Sequence, residues 1–311
     1  MRRSRGLRLP GKKFFGETMG YLIYFLFRLA KVLCDLLPPR ITYKAALLIG
    51  DILYLLSFRV RNNLLDNIVH VTGKKDGKIV RKIFRHLALN HVDLFITPRL
   101  SPESLEKRLE IEGFEYVLEA FSKGKGVILA SIHMGCPDFV GQILAFKGFP
   151  VLIPAEVIKP PALFRFMTRL RSSHGLRLIP VNGPMLELVR ALHRGEAVAL
   201  ALDRDASESG VKVKFFGKPA RLPDGAVRLA YRTGAPIIMA FCIRKPDNSF
   251  KVWVEPPFYV AGEGPKGEII ARAQERIIAT MERYIKAYPE QWVLSVPLWR
   301  EEDEDSHGLP L

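Results

Sequence analysis

The sequence predicts an α/β fold: a central, mostly parallel or mixed sheet flanked by helices, with amphipathic helices at its N-terminal end. Three observations predict it. Apolar residues follow a helical period up to about residue 122. From Val127 onward, short continuous apolar runs alternate with helix-like segments. Runs of that kind suit strands buried on both faces, and their alternation with helices is the mark of βαβ units. Finally, 48% hydrophobic and 25% charged residues over 311 positions are the proportions of a chain that builds a core.

The N-terminal elements come first. Residues 1–13 hold Arg2, Arg3, Arg5, Arg8, Lys12 and Lys13 and no acid. An apolar stretch runs from Tyr21 to Leu37. A secretory signal begins similarly, but Arg28, Lys31 and Asp35 interrupt this stretch and no small-residue cleavage site precedes Pro38. Those charges are spaced i, i+3, i+7 and share one helical face. The opposite face carries Leu22, Phe25, Leu26, Leu29, Val32, Leu33 and Leu36. A second helix of this type spans Ile41 to Phe58. Three readings fit: helices lying in a membrane interface, helices packed on the domain, or one tilted span with its basic end cytoplasmic. No run of 18 uncharged apolar residues occurs, which excludes a polytopic membrane protein.

Further helices are expected from Arg61 and over Lys78–Ile96, with Pro98 and Pro102 marking a break. Strands are expected at Val127–Ile132, Phe149–Ile153, Arg177–Val181, Ala197–Leu202, Pro236–Ile243 and Phe250–Val254. Helices are expected at Phe139–Phe146, Pro161–Arg171 and Met185–His193, the last opened by the turn Asn182-Gly183-Pro184. The expected organisation is a basic, membrane-associating helical segment (1–60), one α/β domain (61–300) and an acidic tail (301–311), the tail disordered.

Charge narrows the partners. The whole chain carries +15, but Glu301–Asp305 put five acids in the tail, so residues 1–300 carry +20. Such a body seeks a polyanion. No nucleic-acid-binding module is visible, so nucleic acid is not an expected partner and an anionic membrane surface is. Cys34, Cys136 and Cys242 lie far apart, which excludes a disulfide scaffold.

The chemistry centres on Ala130-Ser-Ile-His-Met-Gly-Cys-Pro-Asp138. His133 follows a buried strand, and ligands of open α/β sheets bind off the carboxyl ends of strands. Gly135 and Pro137 turn the chain, and Asp138 opens the next helix. Across that turn Asp138 can accept a bond from one ring nitrogen, leaving the other to take a proton. The plainer alternative is an N-cap aspartate beside a strand-edge histidine. Gly262-Glu-Gly-Pro-Lys-Gly267 matches G-x-G-x-x-G, but Glu263 would repel a pyrophosphate and too little chain follows for a βαβ unit. Cys136 near His133 reads as a small filler rather than a thiol nucleophile.

H-x4-D after an apolar strand resembles the lysophospholipid/glycerolipid acyltransferase superfamily. Leu202-Asp-Arg-Asp, Gly210-Val-Lys-Val-Lys-Phe-Phe-Gly-Lys-Pro-Ala, Pro223-Asp-Gly-Ala, Leu229-Ala-Tyr-Arg-Thr-Gly-Ala-Pro and the ending Pro289-Glu-Gln-Trp are similar, in order and spacing, to the bacterial lipid A late-acyltransferase family. Asp203-Arg-Asp205 also resembles its phosphatidylinositol mannoside acyltransferase members. The likeness runs from about Leu36 to Trp299. It implies a glycerolipid acyltransferase-like fold and transfer of a fatty acyl chain to a glycolipid hydroxyl. The donor it implies is a thioester, acyl carrier protein or coenzyme A, used without an acyl-enzyme. It places the enzyme at the cytoplasmic face of the inner membrane, peripheral or single-pass, and calls for no cofactor or metal. Mapped here, His133 is the general base, Asp138 orients it, and backbone N–H groups near Gly135 are candidate oxyanion donors. Where the family has Asn-Trp before its acidic residue, this chain has Cys136-Pro137.

Supporting candidates follow. Lys159 to Arg177 is basic throughout, with Arg165 and Arg169 on one helical face and Arg171 next to it, and Arg forks suit phosphate. Asp203, Arg204 and Asp205 lie at a strand's carboxyl edge, where Arg204 can hold phosphate or the trio can form an ion network. Phe215, Phe216 and Gly217 are candidates to line the acyl path, the two aromatics otherwise being core. Two other functions stay open at this point: a lysophospholipid acyltransferase, and a non-catalytic basic protein that binds membranes peripherally.

Overall fold

The computed structural model describes residues 10–299 apart from Asn182, Pro184, Ser207 and Glu208. The basic residues 2–8 and the acidic tail therefore lie outside the described residues, as do two of the three turn residues before Met185.

Four helices come first: α1 (Pro10–Leu36), α2 (Pro39–Leu56), α3 (Phe58–Thr72) and α4 (Gly77–Ile96). The expected boundary at residue 60 falls inside α3. Asp76 caps α4 by accepting from the N–H groups of Lys78 and Ile79. Helix α2 packs closely on α4, where a Cβ at Gly50 would stand 2.7 Å from the Arg85 Cα. Asp51 clamps this contact by accepting from both Arg81 and Arg85.

Only one side of α1 and α2 is buried. Cys34, Tyr43 and Ala46 join Leu89, Val92 and Phe95 of α4 in a core cluster. The apolar face expected of the first helix, Leu22 through Leu36, is exposed throughout, Phe25 by 65%. On α2, Ile41, Leu48, Ile49, Ile52, Leu55 and Leu56 extend it, and Phe58 lies beyond. An apolar surface over two adjacent helices exceeds what singly scattered surface residues explain. No single described helix is long and apolar enough to cross a membrane, and α2 with α3 qualify only as a pair bent by 92°.

The chain then enters the sheet through α5 (Pro102–Glu106), β1 (Leu109–Glu112), α6 (Phe114–Ser122), β2 (Val127–Ser131), α7 (Pro137–Phe146), β3 (Val151–Ala155), α8 (Pro161–Arg171), β4 (Arg177–Pro180), α9 (Met185–His193) and β5 (Ala197–Ala201). A hairpin, β6 (Val211–Phe215) and β7 (Lys218–Leu222), stands apart from the sheet. It is followed by α10 (Gly225–Thr233), β8 (Ile237–Arg244), β9 (Phe250–Val254) and α11 (Lys266–Ala287). The seven-stranded sheet has the order β1-β9-β8-β2-β5-β3-β4. Every neighbouring pair is parallel except β8 and β9.

The expected mixed α/β sheet is therefore present. Strand β1 lies where helical periodicity was expected to continue. Leu109-Glu-Ile-Glu alternates over only four residues, too short to stand out beside the helices. Strand β3 begins at Val151 rather than Phe149. Central strand β2 is buried along Val127–Ala130, as its continuous apolar run requires. Its sides feed two core clusters, one under α9, α10 and α11, the other under α6 and α7.

Candidate active site

The site grows out of the register between β2 and β5. These strands are parallel, with Ser131 opposite Ala201, and Leu202 N–H donates to Ser131 O. Extending each strand by two residues sets His133 beside Asp203. His133 Nδ1 lies 2.7 Å from Asp203 Oδ1, and the His133 backbone N–H donates to Oδ2 at 2.9 Å. Trp292 Nε1 donates to the same oxygen at 2.8 Å. Asp203 is fully buried, and its charge is held by these three donors. The His133 side chain remains 39% exposed. With Nδ1–H assigned as donor to the carboxylate, Nε2 keeps a lone pair.

The electrostatics agree with this geometry. Burial pushes the His133 pKa down, but the Asp203 charge and its hydrogen bond outweigh burial and leave it raised; Arg204 opposes this and Asp138 adds to it. Burial pushes the Asp203 carboxyl up, but His133 and the Trp292 bond hold it below the ordinary aspartate value. The pair is thus a base held ready by a carboxylate that stays ionised.

The turn after His133 is built from fixed backbone. Gly135 has φ 60°, and a Cβ there would stand 2.4 Å from Cys242 O, so only glycine fits. Its N–H donates to Gln291 O at 3.0 Å, Met134 N–H to Ile132 O, and His133 N–H to Asp203. The Gly135 N–H expected to serve an oxyanion is therefore already spent. Its O accepts from Asn90 Nδ2 at 2.5 Å, and His133 O accepts from the Val293 N–H. The reactive loop is thus gripped by α4 and by the segment after α11.

Asp138 has another partner than expected. It lies in the first turn of α7, where its carboxylate faces Arg171 of α8. Arg171 Nε is 2.9 Å from Oδ1 and Nη2 is 3.1 Å from Oδ2. The carboxylate on the ring is Asp203, because parallel register brings it level with His133, while the turn carries Asp138 to the next helix. Asp138 still acts on the ring through its field.

The other candidates separate. Arg165 and Arg169 share an exposed face of α8, whereas Arg171 turns inward. Arg204 Nη2 lies 2.8 Å from Glu156 Oε2. Asp205 accepts from the N–H groups of Ser209 and Gly210 and shapes the loop before β6. Phe215 is wholly buried, stacks on Trp299 and edges Trp292, so it is core behind the site and not an exposed acyl path. Phe216 and Gly217, both at positive φ, form the β6–β7 turn. Cys136 is buried, and burial raises its thiol well above the ordinary value. That disfavours the thiolate a nucleophile needs.

Trp292 is the site residue the sequence reading left without a role. The only sequence signal for Asp203 as the ring's partner lies in the twin runs Val127–Ile132 and Ala197–Leu202. Each has six apolar or small residues and is followed at once by a polar one, His133 or Asp203.

Comparisons with known proteins give the family. A phosphatidylinositol mannoside acyltransferase of Mycolicibacterium smegmatis is 27% identical over 75% of this chain and 77% of its own. Its Mycobacterium tuberculosis (strain H37Rv) counterpart is 29% identical over 76% of this chain and 71% of its own. A lipid A biosynthesis acyltransferase of Haemophilus influenzae is 25% identical over 94% of this chain and 91% of its own. The solved 1-acyl-sn-glycerophosphate acyltransferase PlsC of Thermotoga maritima aligns with 79% of this chain and 98% of its own. Its TM-score of 0.37 and 16% identity are too slight to argue from. The model of the bacterial lipid A biosynthesis acyltransferase family matches residues 11–301, nearly the whole length, so the chain belongs to that family and is an acyltransferase.

Proposed function

We propose that the protein moves a fatty acyl chain from a thioester, carried by acyl carrier protein or coenzyme A, to a hydroxyl of a membrane glycolipid. The acceptor is of the lipid A precursor or phosphatidylinositol mannoside type. The observation that carries this reading is the His133 ring, tied through Nδ1 to buried Asp203 and open on its other side.

His133 Nε2 takes the proton of the acceptor hydroxyl as its oxygen attacks the thioester carbonyl. Asp203 fixes the tautomer and stabilises the imidazolium, the role carboxylates play in Ser-His-Asp triads. The oxyanion collapses, the C–S bond breaks, and the leaving thiolate takes the proton back from the ring. No acyl-enzyme is needed, since the acceptor hydroxyl stands where a triad has its serine. With the N–H groups of residues 133–135 engaged, the oxyanion draws on side-chain donors. Arg204 is the cation whose field reaches the ring. Asp138 and Arg171 brace α7 against α8 and position the turn.

The exposed apolar faces of α1 and α2 suit an interfacial seat on the bilayer, with the reaction on its cytoplasmic face. In the test, His133→Ala loses acyl transfer by more than about a hundredfold, the lower end for general-base removal, while vesicle association persists. Activity within about tenfold of wild type removes His133 as base. Lipid mass spectrometry of a deletion strain identifies the under-acylated species, and with it the acceptor.

A further inference from the structure

A second basic site lies away from the His133 ring. A cavity of about 1020 Å³ opens between α2, α4, the β8–β9 turn and the segment 288–291. None of His133, Asp138, Asp203 or Arg204 lines it. Its walls carry six Lys and Arg side chains against Asp247 and Glu290. Arg40, Lys44 and Lys82 are among them.

At its wall stands Arg244, 5% exposed. Nη2 of Arg244 reaches Asn90 Oδ1 at 2.7 Å and Asp93 Oδ2 at 2.5 Å. Its Nε and Nη1 are buried with no hydrogen-bond partner. The carboxylate it uses is already shared, because Arg108 Nη2 lies 2.7 Å from Asp93 Oδ1 and Tyr43 donates to that oxygen. One buried and one part-buried guanidinium therefore face one carboxylate. Phe250 gives both a ring face, but a ring does not discharge a cation. His86, also on this wall, has a buried Nδ1 with no partner. These atoms are closed to solvent, so they offer no donor into the cavity; they leave a surplus of buried positive charge behind its wall, whose field favours an anion there.

The surroundings decide which anion. Leu47 lines the cavity and also belongs to the exposed apolar surface of α2. A ligand seated here has its charge among guanidinium and ammonium groups and its tail along Leu47 and its neighbours. We propose that this cavity binds the phosphate headgroup of an anionic glycerophospholipid, as a site separate from the reaction centre. The proposal rests on the bilayer seat read for α1 and α2 above. Asn90 joins the two sites, since the same side chain accepts from Arg244 and donates to Gly135 O, two residues from His133.

The test uses the purified full chain and dihexanoyl phosphatidylglycerol below its micellar concentration, followed by calorimetry. Saturable binding is expected, weakened by salt. Arg244→Gln removes the buried charge behind the cavity wall, and is expected to bind at least about tenfold more weakly. Lys44→Ala with Lys82→Ala, both on the cavity rim, is expected to weaken it by a similar factor. That pair carries the test if Arg244→Gln does not fold. Ile52→Asp on the apolar face is expected to reduce binding to phosphatidylcholine vesicles while leaving the short-chain lipid bound. Loss of that vesicle binding therefore reports on the bilayer seat, and loss of short-chain binding on the cavity. Three results overturn the proposal: no saturable binding, equal binding by the rim variants, or inorganic phosphate or coenzyme A binding as tightly as the lipid.

Discussion

Asp203→Asn tests the proposed base most directly. The carboxylate accepts three bonds: His133 Nδ1 at 2.7 Å, His133 N–H at 2.9 Å and Trp292 Nε1 at 2.8 Å. Asparagine offers one oxygen. Kept at the Oδ2 position, that oxygen satisfies the backbone and Trp292, and the amide NH2 then faces Nδ1. Two donors cannot face each other, so the ring adopts the tautomer with its proton on Nε2, where a lone pair is needed. The equivalent change in a serine-protease triad costs about four orders of magnitude, so a loss of about 10³ to 10⁴ in kcat is expected, some 4 to 5.5 kcal/mol in the barrier. The pH dependence gives an independent sign. In the wild type Asp203 raises the ring's pKa against the effect of burial, so the acidic limb of kcat/KM lies above the ordinary histidine value of about 6.5. Without the carboxylate, burial prevails and the limb moves to lower pH, even as the plateau falls. Steady-state kinetics across pH, with ring nitrogen NMR for the tautomer, read both effects. A plateau within about tenfold of wild type, or an unmoved limb, refutes the assignment.

Three further outcomes follow from the geometry. Asp138→Ala and Arg171→Ala are expected to weaken kcat each by less than Asp203→Asn and to be strongly non-additive, with a coupling of about 0.5 to 3 kcal/mol in a double-mutant cycle; additive losses separate the two residues. Leu48→Asp, at a position 62% exposed, is expected to leave the melting temperature nearly unchanged but weaken vesicle flotation by about tenfold or more, as removal of one buried leucine from a bilayer contact implies. Gly135→Ala forces positive φ on a residue with a Cβ and drives it into Cys242 O, so a stability loss of about 3 kcal/mol or more is expected in urea unfolding, together with lost activity.

The element that sequence made most legible is the one whose burial is most uniform along its length. Val127–Ala130 is buried throughout, and its unbroken apolar run says so, while Ala197–Ala201 has a similar run but is buried only at Ala197 and Val198 and opens toward its carboxyl end. The apolar stripe Leu22 to Leu36 was equally visible, but periodicity alone does not say whether a stripe meets protein or solvent. Here the stripe turns out, Leu22 and Phe25 included, and it is Phe27 and Cys34, on the other side of the helix, that pack against α4. The site was half legible. His133 at a strand end is a local feature. Its carboxylate is a matter of pairing, since Asp203 is 70 positions away and reaches the ring only because β5 neighbours β2. Chain proximity favoured Asp138, five positions on, but the turn gives that side chain to Arg171. Trp292 is further removed still, and nothing in its own neighbourhood announces a bond to Asp203.

The large positive charge is likewise distributed by the fold and not simply spread over it. Charge that faces water needs no partner, and Arg165 and Arg169 stand exposed on α8. Charge inside the protein has to be met, and here it is met unequally. Arg171 has Asp138 to itself, and His133 has Asp203 with two more donors to hold the carboxylate. Arg108 and Arg244 share one aspartate. Desolvating a guanidinium without full compensation costs several kcal/mol, and nonpolar residues of similar size would fill the same space without that penalty. A fold that keeps Arg244 buried, with two nitrogens unpartnered, beside a cavity rimmed by lysines is built to receive charge from outside. The apolar surface of α2 at the same cavity supplies the direction from which that charge arrives, the plane of the bilayer.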